Sequence, residues 1–114
     1  MTTRAQVLMK DTGVYLYQHC DGYDLINTVT SAIARNERLD DVEYLTRIIF
    51  SEMIRDYIDG STGYGIGVIE HCDIEYLVTV DCEEQTVTEF EMRGDKRRTL
   101  TFEDIIFGKS FEER

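Results

Sequence analysis

The sequence predicts an α+β domain: one antiparallel sheet of about five strands in the order ββααβββ, with two helices on one face. Three observations predict it. Two alternating, β-prone runs near the N-terminus are joined by a short turn containing glycine. Two stretches with helical spacing of apolar residues follow. Three further alternating runs come after those, each with a polar face, as in an antiparallel sheet covered on one side. The 114 residues carry no linker and no low-complexity tract, so they read as a single domain. A chain of this length buries roughly two-thirds of its unfolded surface and folds without disulfides or metal.

In the first run, residues 4–10, Ala5, Val7 and Met9 alternate with Gln6, Leu8 and Lys10. In the second, residues 14–19, Val14, Leu16 and Gln18 alternate with Tyr15, Tyr17 and His19. Asp11-Thr12-Gly13 between them supplies the turn, since glycine accepts a positive φ. At least one of Tyr15 and Tyr17 is expected to face the helices as core.

Asp24 is placed to cap a first helix ending near Asn36, with Leu25, Ile26, Val29 and Ile33 on its apolar face. The second helix starts at Asp40, with Glu43 three positions on as in a capping box. Its apolar face runs Val42, Leu45, Ile49, Met53 and Tyr57, and Asp59-Gly60-Ser61 stops it. The glycine-rich segment 60–67 reads as a flexible connection. Residues 68–72, 75–80 and 86–92 read as three strands. Arg93-Gly94-Asp95 reads as a hairpin turn. Thr101 then caps a single helical turn, residues 102–106, that ends at Gly108, and residues 110–114 read as a frayed end.

The charge is the strongest functional clue. There are 23 acidic and 12 basic residues, a net charge of −11. Such a surface repels nucleic acid and anionic membranes, favours solubility and attracts a basic partner. The plainer reading is a set of solvated faces. The sharper one is a protein that imitates the charge of DNA. The start, Met-Thr-Thr-Arg, resembles neither a signal nor a transit peptide, and the apolar stretches are too short to span a bilayer. Cys20, Cys72 and Cys82 are an odd count, which argues for a reducing compartment. Localisation in the cytoplasm is therefore expected.

One internal echo invites chemistry. His19-Cys20-Asp21 recurs as His71-Cys72-Asp73, each at the end of an expected strand. If the two ends lie side by side, two imidazoles, two carboxylates and two thiols converge. Zinc takes His and Cys ligands, but structural zinc sites use closer Cys-x-x-Cys or His-x-x-x-His spacings. Adjacent residues on a strand point to opposite faces, so one triplet does not readily give two ligands. A nucleophilic cysteine wants a neighbourhood that stabilises thiolate, and this chain is negative nearly throughout. A hydrolase using the histidines and aspartates has the right residue types but lacks cations to steady a transferring phosphate. Gly63-Tyr64-Gly65-Ile66-Gly67 precedes a strand rather than linking strand to helix, so it fits neither nucleotide-binding glycine motif. No cofactor and no metal are expected.

The contact candidates are exposed tyrosines and carboxylates. Tyr23, in the Asp-Gly-Tyr loop, has the apolar ring and polar tip favoured at interfaces. Asp73, Glu75, Glu83, Glu84, Glu89 and Glu91 decorate the sheet and its turns, and such a row resembles phosphates along a duplex. Lys96-Arg97-Arg98 is a small basic cluster, too small for a nucleic-acid site on a protein this acidic. Tyrosine-rich faces leave a homodimer as a further possibility.

Thr3-Arg4-Ala5-Gln6-Val7, Val14-Tyr15-Leu16-Tyr17-Gln18-His19 and Asp21-Gly22-Tyr23 together resemble a pattern of small phage and prophage proteins. In that pattern a Thr-Arg-Ala opening leads into a strand, and a second strand ends in His-x-Asp-Gly-Tyr. The match covers about the first 25 residues, and more loosely the segment from Gly65-Ile66-Gly67 through His71-x-Asp73 to Glu75-Tyr76-Leu77. Asp24 stands where the pattern has proline. The resemblance implies a mobile-element origin rather than a chemistry. It implies a small acidic inhibitor of a host defence complex, as anti-CRISPR proteins are, acting on that complex's basic, nucleic-acid-binding surface. The alternative is a small-ligand, nucleotide-binding or hydrolytic protein whose pocket is lined by His19, Asp21, His71 and Tyr64.

Overall fold

The computed structural model describes residues 2–108; the end read as frayed, 110–114, lies outside them. The first hairpin forms as expected, from β1 (Ala5–Met9) and β2 (Val14–Gln18), with Gly13 at a φ of 81° in its turn. A short 3-10 turn, Gly22–Asp24, leads into α1 (Leu25–Ala34), and α2 (Val42–Met53) follows. The remaining elements are β3 (Tyr64–Gly67), β4 (Tyr76–Asp81), β5 (Thr86–Glu91), β6 (Lys96–Thr101) and α3 (Phe102–Ile106).

The fold class is α+β, but the sheet has six strands, in the order β3-β2-β1-β4-β5-β6, and it is mixed. β1 and β4 pair in parallel at its centre, with Val7 opposite Val78; every other pairing is antiparallel. Three helices rather than two pack on one face. Ala5, Val7, Met9, Leu16, Val78, Val80, Val87 and Leu100 point from the sheet into that layer. Leu25, Val29 and Ile33 of α1, Leu45 and Ile49 of α2, and Phe102 and Ile105 of α3 meet them. Each of the larger of these side chains contributes about 1.5–3 kcal/mol by leaving water.

Several element boundaries differ from the sequence expectation. Residues 68–72 are not a strand, and the glycine-rich segment before them is one. Only Tyr64 and Ile66 carry side chains in β3, which weakens its pattern. β6 was not expected because its sole buried residue is Leu100. The cap of α2 is Asp41, not Asp40: its Oδ1 accepts the Glu43 and Tyr44 amides at 3.2 Å. α2 ends at Met53, so Tyr57 lies exposed beyond it rather than on its apolar face. Asp24 precedes α1 without capping it; its carboxylate accepts from Asn27 Nδ2 instead. Thr101 caps α3 with a full capping box through Asp104.

The parallel pairing of β1 with β4 needs a crossover from the edge strand β3. Residues 68–75 make it as an irregular strap, with a turn at 72–73, across the sheet face opposite the helices. Gln6 points to that face and grips the strap twice. Its Nε2 donates to the Ile69 carbonyl (3.1 Å), and its Oε1 accepts the His71 amide (2.9 Å). Tyr15 donates to Glu70 at 3.2 Å. Tyr15 and Tyr17 therefore both lie on the strap face, and neither belongs to the helix-side core.

Candidate functional site

The echoed triplets meet only in part. Tyr17 lies between the two histidines: its hydroxyl is 3.1 Å from His19 Nδ1, and its ring stacks on His71 with centroids 4.7 Å apart. The strand register puts Tyr17 and His19 on one face, and the strap carries His71 onto the same face. The carboxylates do not follow. Asp73 pairs with Arg4 at 3.4 Å. Asp21 adopts a left-handed conformation, φ 57°, in a loop pinned by Gln18, whose Nε2 donates to the Cys20 and Asp21 carbonyls. Tyr64 pairs in register with Gln18, packs against the helix-side core and meets Tyr57 at 5.7 Å between centroids. Burial raises its phenol pKa first, and Tyr57, Asp21, Cys20 and Asp56 add to the rise. The four residues of the expected pocket thus divide between the two faces. Among the described residues, no group of three or more His, Cys, Asp or Glu side chains is placed to hold a metal ion.

A groove of about 410 Å³ does lie beside the Tyr17–His71 stack, against Gln6, Gly65, Gly67 and Ile69. The two glycines leave its floor bare: a Cβ on Gly67 would touch nothing, and one on Gly65 would meet only Tyr17 Cβ at 4.0 Å.

The acidic contact candidates also separate. Glu89 lies on the helix face of β5, is 3% exposed and is bound to Arg98. Glu91 accepts from the Tyr76 hydroxyl at 3.2 Å, and Glu75 pairs with Arg93. The Tyr76 phenol pKa is raised by burial and then by that bond to Glu91. These acids are spent on internal contacts. Glu83 and Glu84 are exposed in the β4–β5 turn, and Tyr23 is 59% exposed in its loop.

Glu83 and Glu84 have neighbours that sequence reasoning did not group with them. The Asp11 carboxylate, in the β1–β2 turn, accepts the Cys82 and Glu83 amides at 2.7 and 3.3 Å. Gln85 Nε2 donates to the Leu39 carbonyl, at 2.8 Å, which ties the α1–α2 loop to the same turn. Three turns distant in sequence are thereby fastened at one end of the sheet. They bring exposed Asp11, Asp40, Glu83 and Glu84 together with half-buried Asp41. Lys10 is held by Asp81 at 3.4 Å, and Arg38 lies over the Tyr44 ring at 4.3 Å. The field of this acidic pole registers at Cys82. Its thiol pKa is pushed up to about 11, first by burial and then by the charges of Asp11 and Asp81. A thiol so placed is a poor nucleophile. No residue spacing advertises the pole; the only sequence signal is that each of the three turns carries acids.

The fold and its surfaces define a class: a one-sheet α+β protein with helices on one face, a strap on the other and carboxylates gathered at one end. No family model, curated protein or solved structure matches the chain.

Proposed function

We propose that this protein acts by binding, and that its acidic pole docks a basic, nucleic-acid-binding surface of a partner protein. The phage-type resemblance extends the proposal to a host defence complex as the partner and inhibition as the result. The observation that carries the reading is the fastening of three acidic turns by Asp11 and Gln85. Carboxylates held by folded turns face a partner without the ordering cost of a mobile tail. Complementary charge speeds encounter and makes it sensitive to salt.

The test is capture from bacterial lysate on the immobilised protein, followed by salt elution. A partner retained at about 50 mM salt and released by about 300 mM is expected. The double variant E83K/E84K is expected to lose it. Capture that ignores both salt and charge reversal overturns the reading.

The groove beside Tyr17 and His71 supports a second reading, a small-ligand site with the His71 ring as its polar group. Aromatic and nucleotide fragments titrated into the labelled protein are expected to shift the His71 ring signals. Unmoved signals across the set remove that reading.

A further inference from the structure

The two edges of the sheet are built differently. β6 presents Lys96, Arg97 and Arg98, and charged side chains on an edge strand oppose pairing with another chain. β3, with the sequence Tyr-Gly-Ile-Gly, has no charged residue.

The free hydrogen-bonding groups of β3 follow from its register. The His19 amide donates to the Gly63 carbonyl at 2.9 Å. Tyr17 opposite Gly65 and Tyr15 opposite Gly67 continue the same alternation. Gly63, Gly65 and Gly67 therefore bond inward to β2. Tyr64 and Ile66 aim their N–H and C=O groups outward, where no strand among the described residues pairs with them.

Apolar surface surrounds that edge. Ile66, Val68 and Ile69 are 66%, 73% and 71% exposed, and Tyr57 and Ile58 are exposed in the segment leading to β3. Scattered single residues of this kind are ordinary, but several flanking one free edge on both faces of the sheet mark a contact surface. The charge along the segment that carries it has one sign. Residues 56–92 contain no Lys or Arg, and they carry Asp56, Asp59 and Glu70 close to β3. Asp56 and Asp21 both act electrostatically on Tyr64.

We propose that the β3 edge accepts an extended segment of another protein as a seventh strand, and that this segment alternates apolar and cationic residues. Backbone pairing at Tyr64 and Ile66 supplies the register, as in other strand-addition complexes. Ile66, in register with Leu16 on the helix side of the sheet, covers the apolar side chains, and Glu70 on the strap side favours the cations. The carboxylates close to β3 disfavour a second copy of this chain, because two β3 edges would bring like charges together. The β3 edge is separate from the acidic pole, and the inference stands without it.

The probe is a capped seven-residue peptide alternating lysine and valine, titrated into the isotope-labelled full chain. The expected result is saturable shifts centred on Tyr64 and Ile66, with hydrogen exchange of those two amides slowed at least about tenfold. I66P removes an outward N–H that the fold does not use, and edge strands tolerate proline at such a position. It is expected to weaken binding at least about tenfold. I66K leaves the backbone intact, adds a guarding charge and is expected to do the same. E83Q/E84Q is expected to change the affinity less than about threefold, which separates this edge from the pole. Equal binding of a glutamate–valine peptide overturns the cationic requirement. Shifts confined to the acidic turns, or binding indifferent to both Ile66 variants, overturn the site. Concentration-dependent dimerisation that protects the same amides without peptide overturns the assigned occupant.

Discussion

Three glutamines do work here that their sequence positions do not announce. Gln6 holds the strap, Gln18 holds the loop after β2, and Gln85 joins two turns at the acidic pole. Each uses a side-chain amide where a backbone partner is missing, and buried backbone groups need such partners. Gln6→Leu is expected to cost about 1–3 kcal/mol, because it orphans the Ile69 carbonyl and the His71 amide. Urea unfolding measures the loss, and faster exchange of the His71 amide locates it. Asp81 gives a second prediction at this scale. The Glu84 amide lowers its pKa most, burial opposes, and Lys10 lowers it further. A carboxylate with a lowered folded pKa stabilises the fold above its unfolded value. That stability is lost as pH falls from the unfolded value of 3.8 through the lower folded one. D81N is therefore expected to be less stable at neutral pH and to show a flatter acid limb in thermal unfolding against pH.

Among the elements, the shortest helix has the clearest signal. Thr101 and Asp104 complete a capping box for α3, and T101A is expected to cost about 1 kcal/mol in chemical denaturation. Local rules of this kind made α3, the first hairpin and the β4–β5 pair legible from sequence. They did not reveal β3, whose two glycines carry no β-propensity, or β6, whose charges serve as an edge guard. The parallel contact of β1 with β4 was illegible for a different reason. It depends on a crossover that leaves no periodicity, and Val68-Ile69 in the strap read as a strand because they are β-prone. At the candidate site, the histidine echo did place both imidazoles on Tyr17. The acids chosen from β5 lie on the helix face, because Val87 fixes that face of the strand and the alternation carries buried Glu89 and half-buried Glu91 with it. Gly22 has a steric role that no sequence pattern marks. A Cβ there would come within 2.7 Å of the Thr3 carbonyl, so its absence lets β1 begin where it does.

For the molecule as a whole, charge acts twice and in opposite directions. A net charge of −11 repels itself in the compact state, so added salt is expected to raise the melting temperature by screening that repulsion. The same salt is expected to weaken binding to a basic partner. Melting curves and binding isotherms over one salt series test both signs together. A melting temperature that falls with salt argues that the internal ion pairs, such as Arg35 and Arg55 on Glu52, outweigh the net repulsion.

The strap also fixes a sequence of events. β1 lies near the start of the chain, yet its parallel partner ends at Asp81. The first hairpin is made long before that neighbour, and β3 shortly before it. Until that neighbour is made, one side of β1 has no strand to bond. Contacts so distant along the chain carry a loop-closure cost that slows folding. The centre of the sheet is thus sealed only after the first hairpin and β3 have been made, and a nascent chain stopped before residue 76 holds an open strand where the finished protein has its middle.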